Sequence, residues 1–276
     1  MYPSRIVCLT EETTETLYWL GEQDRVVGVS GFTVRPPEAR RKPRVSAFLS
    51  ADYEKIAALE PDLVLAFSDL QADLVRELVR RGLPVFTFNQ RSVAEILDAI
   101  RVIGGIVGAG TRAEVLAARF EQELEQIRSS AERFAARPRV FFEEWDAPLI
   151  SGIQWVEELI EIAGGAPIFP GLRHARLAAD RIVSPDAVME RDPEVIIGSW
   201  CGKGVNFGRI RAREGWGAVT AVRQNALYEI RSSYILQPGP AALTEGVRQL
   251  HAILCEVAGV SAPAELAPEK VFKRAR

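Results

Sequence analysis

The stretch "SADYEKIAALEPDLVLAFS", residues 50–68, is repeated in outline by "RIVSPDAVMERDPEVIIGS", residues 181–199. When the two are aligned, Glu54 falls on Asp186 and Pro61 falls on Pro193. Each copy predicts a short helix, an acidic-Pro-acidic turn and an all-apolar strand of the kind that is buried on both faces. The spacing between the copies is far longer than the repeat of a solenoid protein. The sequence therefore predicts two similar lobes.

The residues around the two copies extend this similarity. Both halves open with an Arg and an apolar strand, "RIVCL" and "RVFFEE", and a helix follows each. Alternating strands and helices favour parallel sheets with right-handed crossovers. Between the halves, residues 111 to 136 contain no Gly or Pro, and their apolar residues recur in steps of three and four, which predicts one long helix.

These patterns predict an α/β fold with two Rossmann-like lobes of parallel strands. The predicted boundaries are 1–108 for the first lobe, 109–137 for a linking backbone helix and 138–276 for the second lobe. Domain interfaces are favoured places for ligands, so we expect a ligand cleft between the lobes.

Composition excludes several classes of function. The net charge is -3 with 34 basic and 37 acidic residues, which argues against a nucleic-acid partner. No apolar run approaches the roughly 20 residues of a membrane span, and residues 1 to 20 lack the pattern of an export signal. We therefore expect no membrane insertion.

Residues suited to catalysis or metal binding are few. The three cysteines lack a CxxC spacing, and two histidines are too few for the usual zinc or manganese sites. His251 is predicted to be capped or half-buried in the last helix. "GGIVGAG", residues 104–110, follows a helix and predicts a break between two helices, whereas "CGKGVNFG", residues 201–208, predicts a flexible loop.

Acidic residues follow the first strand of each half. Glu11, Glu12 and Glu15 form the first group, and Glu143, Glu144 and Asp146 form the second. Two carboxylates across a cleft also suit a glycosidase, but no sugar site accompanies them.

Several motifs resemble one family of binding proteins. "RIVCLTEETTETLYWLG", "YEKIAALEPDLVLAF", "SPDAVMERDPEVII", "WGAVTAVRQNALYEI" and "PGPAALTEGVRQL" occur in the order found in class III, helical-backbone substrate-binding proteins. These proteins serve ABC importers for vitamin B12, siderophores and haem, and the resemblance covers residues 3 to 258. "GFTVRPPEA", "PDLVLAF" and "PLISG" are most similar to the vitamin B12-binding branch. The resemblance implies a transported corrinoid, no cofactor of its own and no catalysis.

The resemblance also implies a set of ligand contacts. Aromatic faces suit a large planar macrocycle, and Phe32 and Phe67 stand where this family places aromatics in the first lobe. The sequence departs from the family at Thr87, where a Trp is often found, and at Leu149, where a Phe is common. Trp145, Trp200 and Tyr234 are predicted at strand ends or loops of the second lobe, where they could substitute for these aromatics. The candidate ligand contacts are therefore Thr13, Phe32, Phe67, Trp145, His174, Trp200 and Tyr234.

Docking on a permease is the second implied feature. Members of the family present one acid on each lobe to basic pockets of the permease. Asp73 fits the position on the first lobe, with Glu54 as a rival, and Asp186 fits the second. Asp186 also suits a purely structural role, because it follows Ser184 and Pro185 at a helix start. The implied protein is a monomer that acts in the periplasm if it is exported.

Three alternatives stay open at the level of sequence. The ligand could be a siderophore or haem instead of a corrinoid. A cytoplasmic corrinoid carrier or sensor without a permease would also fit. An enzyme or a cofactor-assembly factor of the nitrogenase-like kind would share the two-lobe plan, but cysteine ligands would then be expected.

Overall fold

The fold, taken from a computed structural model, describes residues 2–269 and 272–275. The chain divides into two compact units. Unit 1 contains the residues up to Gln90, Ala94–Phe120 and Pro238–Pro240, and unit 2 contains the rest. The predicted α/β class with parallel sheets is confirmed. The predicted cleft between lobes stays a prediction.

Unit 1 is built around one sheet. Its strands are β1 (Ile6–Cys8), β2 (Val26–Ser30), β3 (Arg44–Ala47), β4 (Ser50–Ala51), β5 (Leu63–Phe67) and β6 (Val85–Phe88). Its helices are α1 (Glu11–Trp19), α2 (Tyr53–Ala58), α3 (Ala72–Arg80) and α4 (Val93–Val107). The strand order is β4-β3-β2-β1-β5-β6, and every pair is parallel except β3 with β4.

Unit 2 contains a sheet of similar plan. Its strands are β7 (Arg139–Asp146), β8 (Leu149–Ser151), β9 (Ala166–Pro167), β10 (Val195–Gly198), β11 (Leu227–Glu229) and β12 (Lys273–Arg274). Its helices are α6 (Gln154–Ile162), α7 (Pro185–Arg191), α8 (Phe207–Arg211), α9 (Thr220–Arg223), α10 (Ser232–Ile235) and α11 (Val247–Ala258). The parallel order β9-β7-β10-β11 matches β2-β1-β5-β6 of unit 1, and β8 and β12 join it antiparallel.

The repeated stretch has the same structure in both units. After α2 and after α7, Glu60 (φ +47°) and Asp192 (φ +41°) adopt the left-handed conformation that ends each helix. The guanidinium Nε of Arg5 donates to the carbonyl of Glu60 at 3.1 Å, and that of Arg139 donates to the carbonyl of Asp192 at 3.0 Å. The turn therefore recurs with its own arginine.

The acid after the proline explains why the turn is acidic-Pro-acidic. The Asp62 carboxylate accepts the backbone N–H of Arg5 at 2.8 Å, and the Glu194 carboxylate accepts that of Arg139 at 2.9 Å. Each acid thereby fixes the start of its strand beside the first strand of the unit. The two copies therefore share the same hydrogen bonds as well as similar sequences.

Helix α5 (Gly110–Ala131) is the long helix expected from the sequence, but it ends five residues earlier than the predicted Ala136. The Arg133 guanidinium donates to the Ser130 carbonyl at 3.1 Å, and tight turns replace the helix there. The Phe134 ring then stacks on the His251 ring, with centroids 5.9 Å apart. Phe134 is therefore packed although it lies beyond the end of the helix. The spacing of apolar residues in the sequence does not reveal this, and so it predicted a longer helix.

Other differences concern short elements. The segment after "GFTVRPPEA" leads into β3, and "PLISG" contains β8. The last helix starts with a π-helical turn, Ala242–Gly246, before α11. The predicted break between α4 and α5 is confirmed, and it falls at Gly108, whose φ is +76°. Within α4, a Cβ on Gly104 would lie 2.2 Å from the Ala113 Cβ of α5, so the close approach of the two helices requires Gly there.

Candidate functional site

Each unit has a candidate site at the carboxyl edge of its own sheet. In open parallel sheets ligands bind outside the carboxyl ends of the strands. The loops after β1, β2, β5 and β6 form this edge in unit 1, and those after β7, β10 and β11 form it in unit 2. Of the predicted ligand contacts, Phe32 and Trp200 lie in these loops. Phe67 and Trp145 lie at the carboxyl ends of strands β5 and β7.

An exposed apolar rim follows the strands of unit 1. Its members are Phe32, Val34, Leu49 and Leu70, which are 54%, 43%, 65% and 50% exposed. They follow β2, β3 and β5. Exposed apolar groups that collect at one edge of a sheet mark a binding surface more often than scattered ones do.

Phe67 occupies a different position from Phe32. It ends β5 and is only 6% exposed, and its N–H donates to the Gln71 side-chain oxygen at 2.9 Å. Ser68 follows with a left-handed φ of +63°, which is strained for a residue with a Cβ. Phe67 therefore supports the edge from inside, and Phe32 is the exposed member of this pair.

The loop after β1 is packed inward. Thr13 is 1% exposed, and its hydroxyl donates to the Thr10 carbonyl at 3.2 Å, so this side chain stabilises the first turn of α1. Its burial does not fit the predicted ligand contact. Glu12 is also buried, where it accepts a hydrogen bond from the Thr10 hydroxyl and packs against Gly239. Burial raises the pKa of Glu12 to about 8.

Two tryptophans stand at the carboxyl edge of unit 2, and only one is open. Trp200, after β10, is 2% exposed, and its indole N–H donates to Glu143 at 3.0 Å. The Arg213 guanidinium holds the same carboxylate with two hydrogen bonds of 2.6 and 2.8 Å. Trp145, at the end of β7, is half-buried, and its indole N–H donates to the Ala147 carbonyl at 3.0 Å. Trp200 thus belongs to the supporting structure, whereas Trp145 presents a ring face.

A lysine that the sequence did not single out covers that face. The Lys203 ammonium lies 3.9 Å from the centroid of the Trp145 ring and 4.9 Å from that of Trp200. It also lies 2.6 Å from the Asp146 carboxylate. The lysine within "CGKGVNFG" and the acids at the end of β7 were both visible in the sequence, but no sequence feature indicated that they are in contact.

The remaining predicted contacts lie at the periphery of unit 2. His174 is exposed in the loop before Ala178, and Tyr234 is half-buried in the short helix α10 after β11. His251, in contrast to the prediction, is fully buried in α11. Its Nδ1 contacts the Ala163 carbonyl at 3.0 Å, and its Nε2 contacts the Ser130 hydroxyl at 2.9 Å.

The three docking candidates all lie on helix starts. Asp73 is in the first turn of α3 with its side chain 88% exposed, 3.0 Å from Arg76. Asp186 is exposed in the first turn of α7, behind the Ser184 N-cap. Glu54 is held at 2.6 Å by Arg81, which makes it the most constrained of the three.

The described residues form neither a metal-binding cluster nor a membrane-spanning helix. Within residues 2–269 and 272–275, no group of three or more His, Cys, Asp or Glu side chains is placed to hold a metal ion. No helix in the described part of the chain combines the length and apolarity needed to cross a bilayer.

Comparison with known proteins decides the family. A sequence profile described as "Periplasmic binding protein" matches residues 6–234. The chain belongs to this family. The predicted resemblance to substrate-binding proteins is thereby confirmed at the family level.

Two curated relatives cover most of this periplasmic binding protein. The uncharacterized ABC transporter substrate-binding lipoprotein YvrC of Bacillus subtilis (strain 168) is 28% identical over 262 residues, which is 90% of this chain and 79% of the relative. The cobalamin-binding protein of Halobacterium salinarum (strain ATCC 29341 / DSM 671 / R1) is 26% identical over 264 residues, which is 91% of this chain and 69% of the relative.

A solved structure supports the fold. The periplasmic heme-binding protein RhuT from Roseiflexus sp. RS-1 superposes with a TM-score of 0.80 at 24% identity, covering 92% of this chain and 99% of that chain. At this identity the likeness concerns the fold alone.

Proposed function

We propose that this protein binds a corrinoid and delivers it to an ABC importer without catalysing a reaction. The exposed Phe32 ring after β2 carries the proposal, because an aromatic face at a carboxyl edge suits a large flat ligand. The half-buried Trp145 gives unit 2 a second such face. Similarity to a cobalamin-binding protein over 91% of the chain supports the choice of ligand.

The proposed contact set is smaller than the one predicted from sequence. Phe32, Trp145, His174 and Tyr234 remain as direct contacts, since each is exposed or half-buried. Thr13, Phe67 and Trp200 become supporting residues, because each is 6% exposed or less.

Haem is the second candidate ligand. The apolar rim of unit 1 presents four large apolar side chains, and haem has a more apolar ring surface than a corrinoid with its amide side chains. The rim therefore favours haem more than a hydrophilic siderophore.

We also propose that the protein delivers its ligand to a permease. One curated relative is an ABC transporter substrate-binding lipoprotein, and Asp73 and Asp186 offer exposed carboxylates. Such a receptor works outside the cytoplasm, so we propose an exported protein. Cell fractionation with an antibody against the purified chain should find it outside the cytoplasm.

Calorimetry tests the ligand directly. Purified protein is titrated with cobalamin, cobinamide, haem and a ferric siderophore, and we expect one-to-one binding of the corrinoids. Phe32→Ala and Trp145→Ala should each weaken that binding by about tenfold, since a stacked aromatic contributes on the order of 1 kcal/mol or more.

Phe86→Ala is the matched control, because Phe86 is 39% exposed but lies in the middle of β6 rather than at a carboxyl edge. It should leave binding unchanged. Tight binding of haem or the siderophore with no heat from either corrinoid would refute the corrinoid proposal and keep the binding function.

A further inference from the structure

The loop after β10 places a cation where a flat ligand would stack. The Lys203 ammonium lies over both Trp145 and Trp200, at 3.9 and 4.9 Å from the ring centroids. Cation-π attraction of this kind is strongest for Trp. A ring that stacks on this face of Trp145 must therefore displace Lys203 or interact with it.

Lys203 is fixed in place by a carboxylate that is nearly inaccessible. Asp146 has a side chain 2% exposed, and its Oδ1 accepts from the Lys203 ammonium at 2.6 Å. Burial opposes ionisation of Asp146, but the hydrogen bond and charge of Lys203 and the charge of Arg209 outweigh it and hold the pKa below its usual value. Asp146 is therefore an anion at neutral pH.

A second cation shares the same carboxylate. Arg209 on α8 lies 2.8 Å from Asp146 Oδ2, yet that oxygen accepts no hydrogen bond in this geometry. Two cations thus surround one anion, and the group carries one uncompensated positive charge. The side chains of Lys203 and Arg209 are 39% and 58% exposed, so this charge faces solvent beside the Trp145 ring.

We infer that Lys203 and Arg209 form an anion-recognition site next to the Trp145 ring, so that the ligand is flat and carries an anionic group at its edge. The inference rests on the proposed binding function and narrows it to a chemical class. Carboxylate arms on a porphyrin and the phosphodiester of a complete corrinoid share this chemistry. Charge-assisted hydrogen bonds to such a group are the strong ones.

Two matched ligand pairs test the inference. Haem is compared with haem dimethyl ester, and cobalamin is compared with cobinamide, which lacks the phosphodiester together with the rest of the nucleotide loop. In the second pair, only the part of the preference that Lys203→Met removes is ascribed to the anionic group. For whichever ring binds, the anionic member should bind at least about tenfold more tightly to the wild-type protein. Lys203→Met should remove most of this preference, whereas Lys203→Arg should keep it.

Arg211→Gln is the charge-matched control. Arg211 lies on the same helix as Arg209, but its guanidinium pairs with Asn225 rather than with Asp146. The preference for the anionic ligand should survive this change, and melting temperatures should verify that each variant is folded.

The possible failures are distinguishable. Equal affinity for both members of a pair, or an equal loss for both members in Lys203→Met, overturns the anion site and leaves the binding function intact. If no ring of either kind binds, the proposed function fails and the inference fails with it.

Discussion

His251 shows how one buried side chain links stability to pH. It contacts Ala163 and Ser130 and lies 3.5 Å from the Cys255 sulfur. Burial lowers the pKa of His251, and the positive charge of Arg133 lowers it further. Because the folded protein prefers the neutral ring, stability is full above the ordinary histidine pKa of about 6.5 and is lost as pH falls below it.

We therefore expect His251 to lower the free energy of unfolding as pH falls from 7 to 5, an effect opposite in sign to that of the buried Glu12 over the same range. The contribution of His251 is limited to about 1.4 kcal/mol per pH unit, since one proton is involved. His251→Gln should reduce this slope while lowering stability at pH 7. Urea unfolding at several pH values measures both, and an unchanged slope would contradict the assignment.

The buried Glu12 makes the free energy of unfolding fall as pH rises, which is the opposite of the effect of His251. Its pKa is raised to about 8 by burial, so the neutral form is favoured in the folded state. This stability is present below the unfolded pKa of about 4.5 and is lost as pH rises through 8. Glu12→Gln should therefore gain on the wild type by up to about 1.4 kcal/mol per pH unit between pH 5 and 8.

Glu190→Gln is the control for Glu12→Gln, because Glu190 is exposed on α7. The stability of this variant should follow the wild type at every pH. A constant difference between Glu12→Gln and the wild type from pH 5 to pH 8 would mean that Glu12 is ionised in the folded protein.

At the scale of elements, helix starts combine structure with a proposed docking role. The Ser184 hydroxyl accepts the Ala187 N–H at 3.1 Å, and Pro185 and Asp186 complete the first turn of α7. An acid in the first turn of a helix is favoured by the helix dipole. The start of α7 alone thus explains this sequence pattern, so a docking role needs evidence of its own.

Charge reversal separates the two roles. If Asp73 and Asp186 dock, Asp73→Lys and Asp186→Lys should each impair association with the permease and leave ligand affinity unchanged. Asp186→Lys should also lower the melting temperature by roughly 2 to 4 °C through the helix dipole alone. Pull-down with the permease in detergent measures association.

Asp186→Asn is the control, since it keeps the shape and removes the charge without reversing it. Glu54→Lys should have little effect on association, because Glu54 already pairs with Arg81. Normal association of both lysine variants would leave only the capping role.

At the scale of the molecule, the two copies of the turn allow a test of the duplication. Arg5 and Arg139 make equivalent bonds in separate units and share no partner. Arg5→Ala and Arg139→Ala should each lower stability by about 1 kcal/mol, and the double variant should lose their sum, because unconnected sites are additive.

Urea unfolding of the two single variants and the double variant measures this additivity. Arg76→Ala is the control and should have almost no effect, because in the described part of the chain the ion pair of Arg76 is an exposed one with Asp73. A loss in the double variant that differs from the sum by more than about 0.5 kcal/mol would show that the two copies are coupled.

Much of the fold could be read from the sequence because its signals are local. The left-handed residue, the proline and the acid of each turn are contiguous, and β5 and β10 are unbroken apolar runs. The short antiparallel strands β8 and β12 escaped notice, because two or three residues carry no periodicity. The candidate site was predicted less well, because the residues next to an aromatic in the sequence do not determine whether its side chain is exposed.

The sequence by itself determined the duplicated helix-turn-strand unit, the long helix and the family, since each follows from residues that are close together or in a fixed order. Only the tertiary structure decided which side chains are available. Trp200 bonds Glu143, and Lys203 bonds Asp146, each across 57 positions of sequence. Such pairs form because parallel strands bring distant loops to one edge of a sheet, and that proximity is a property of the folded chain.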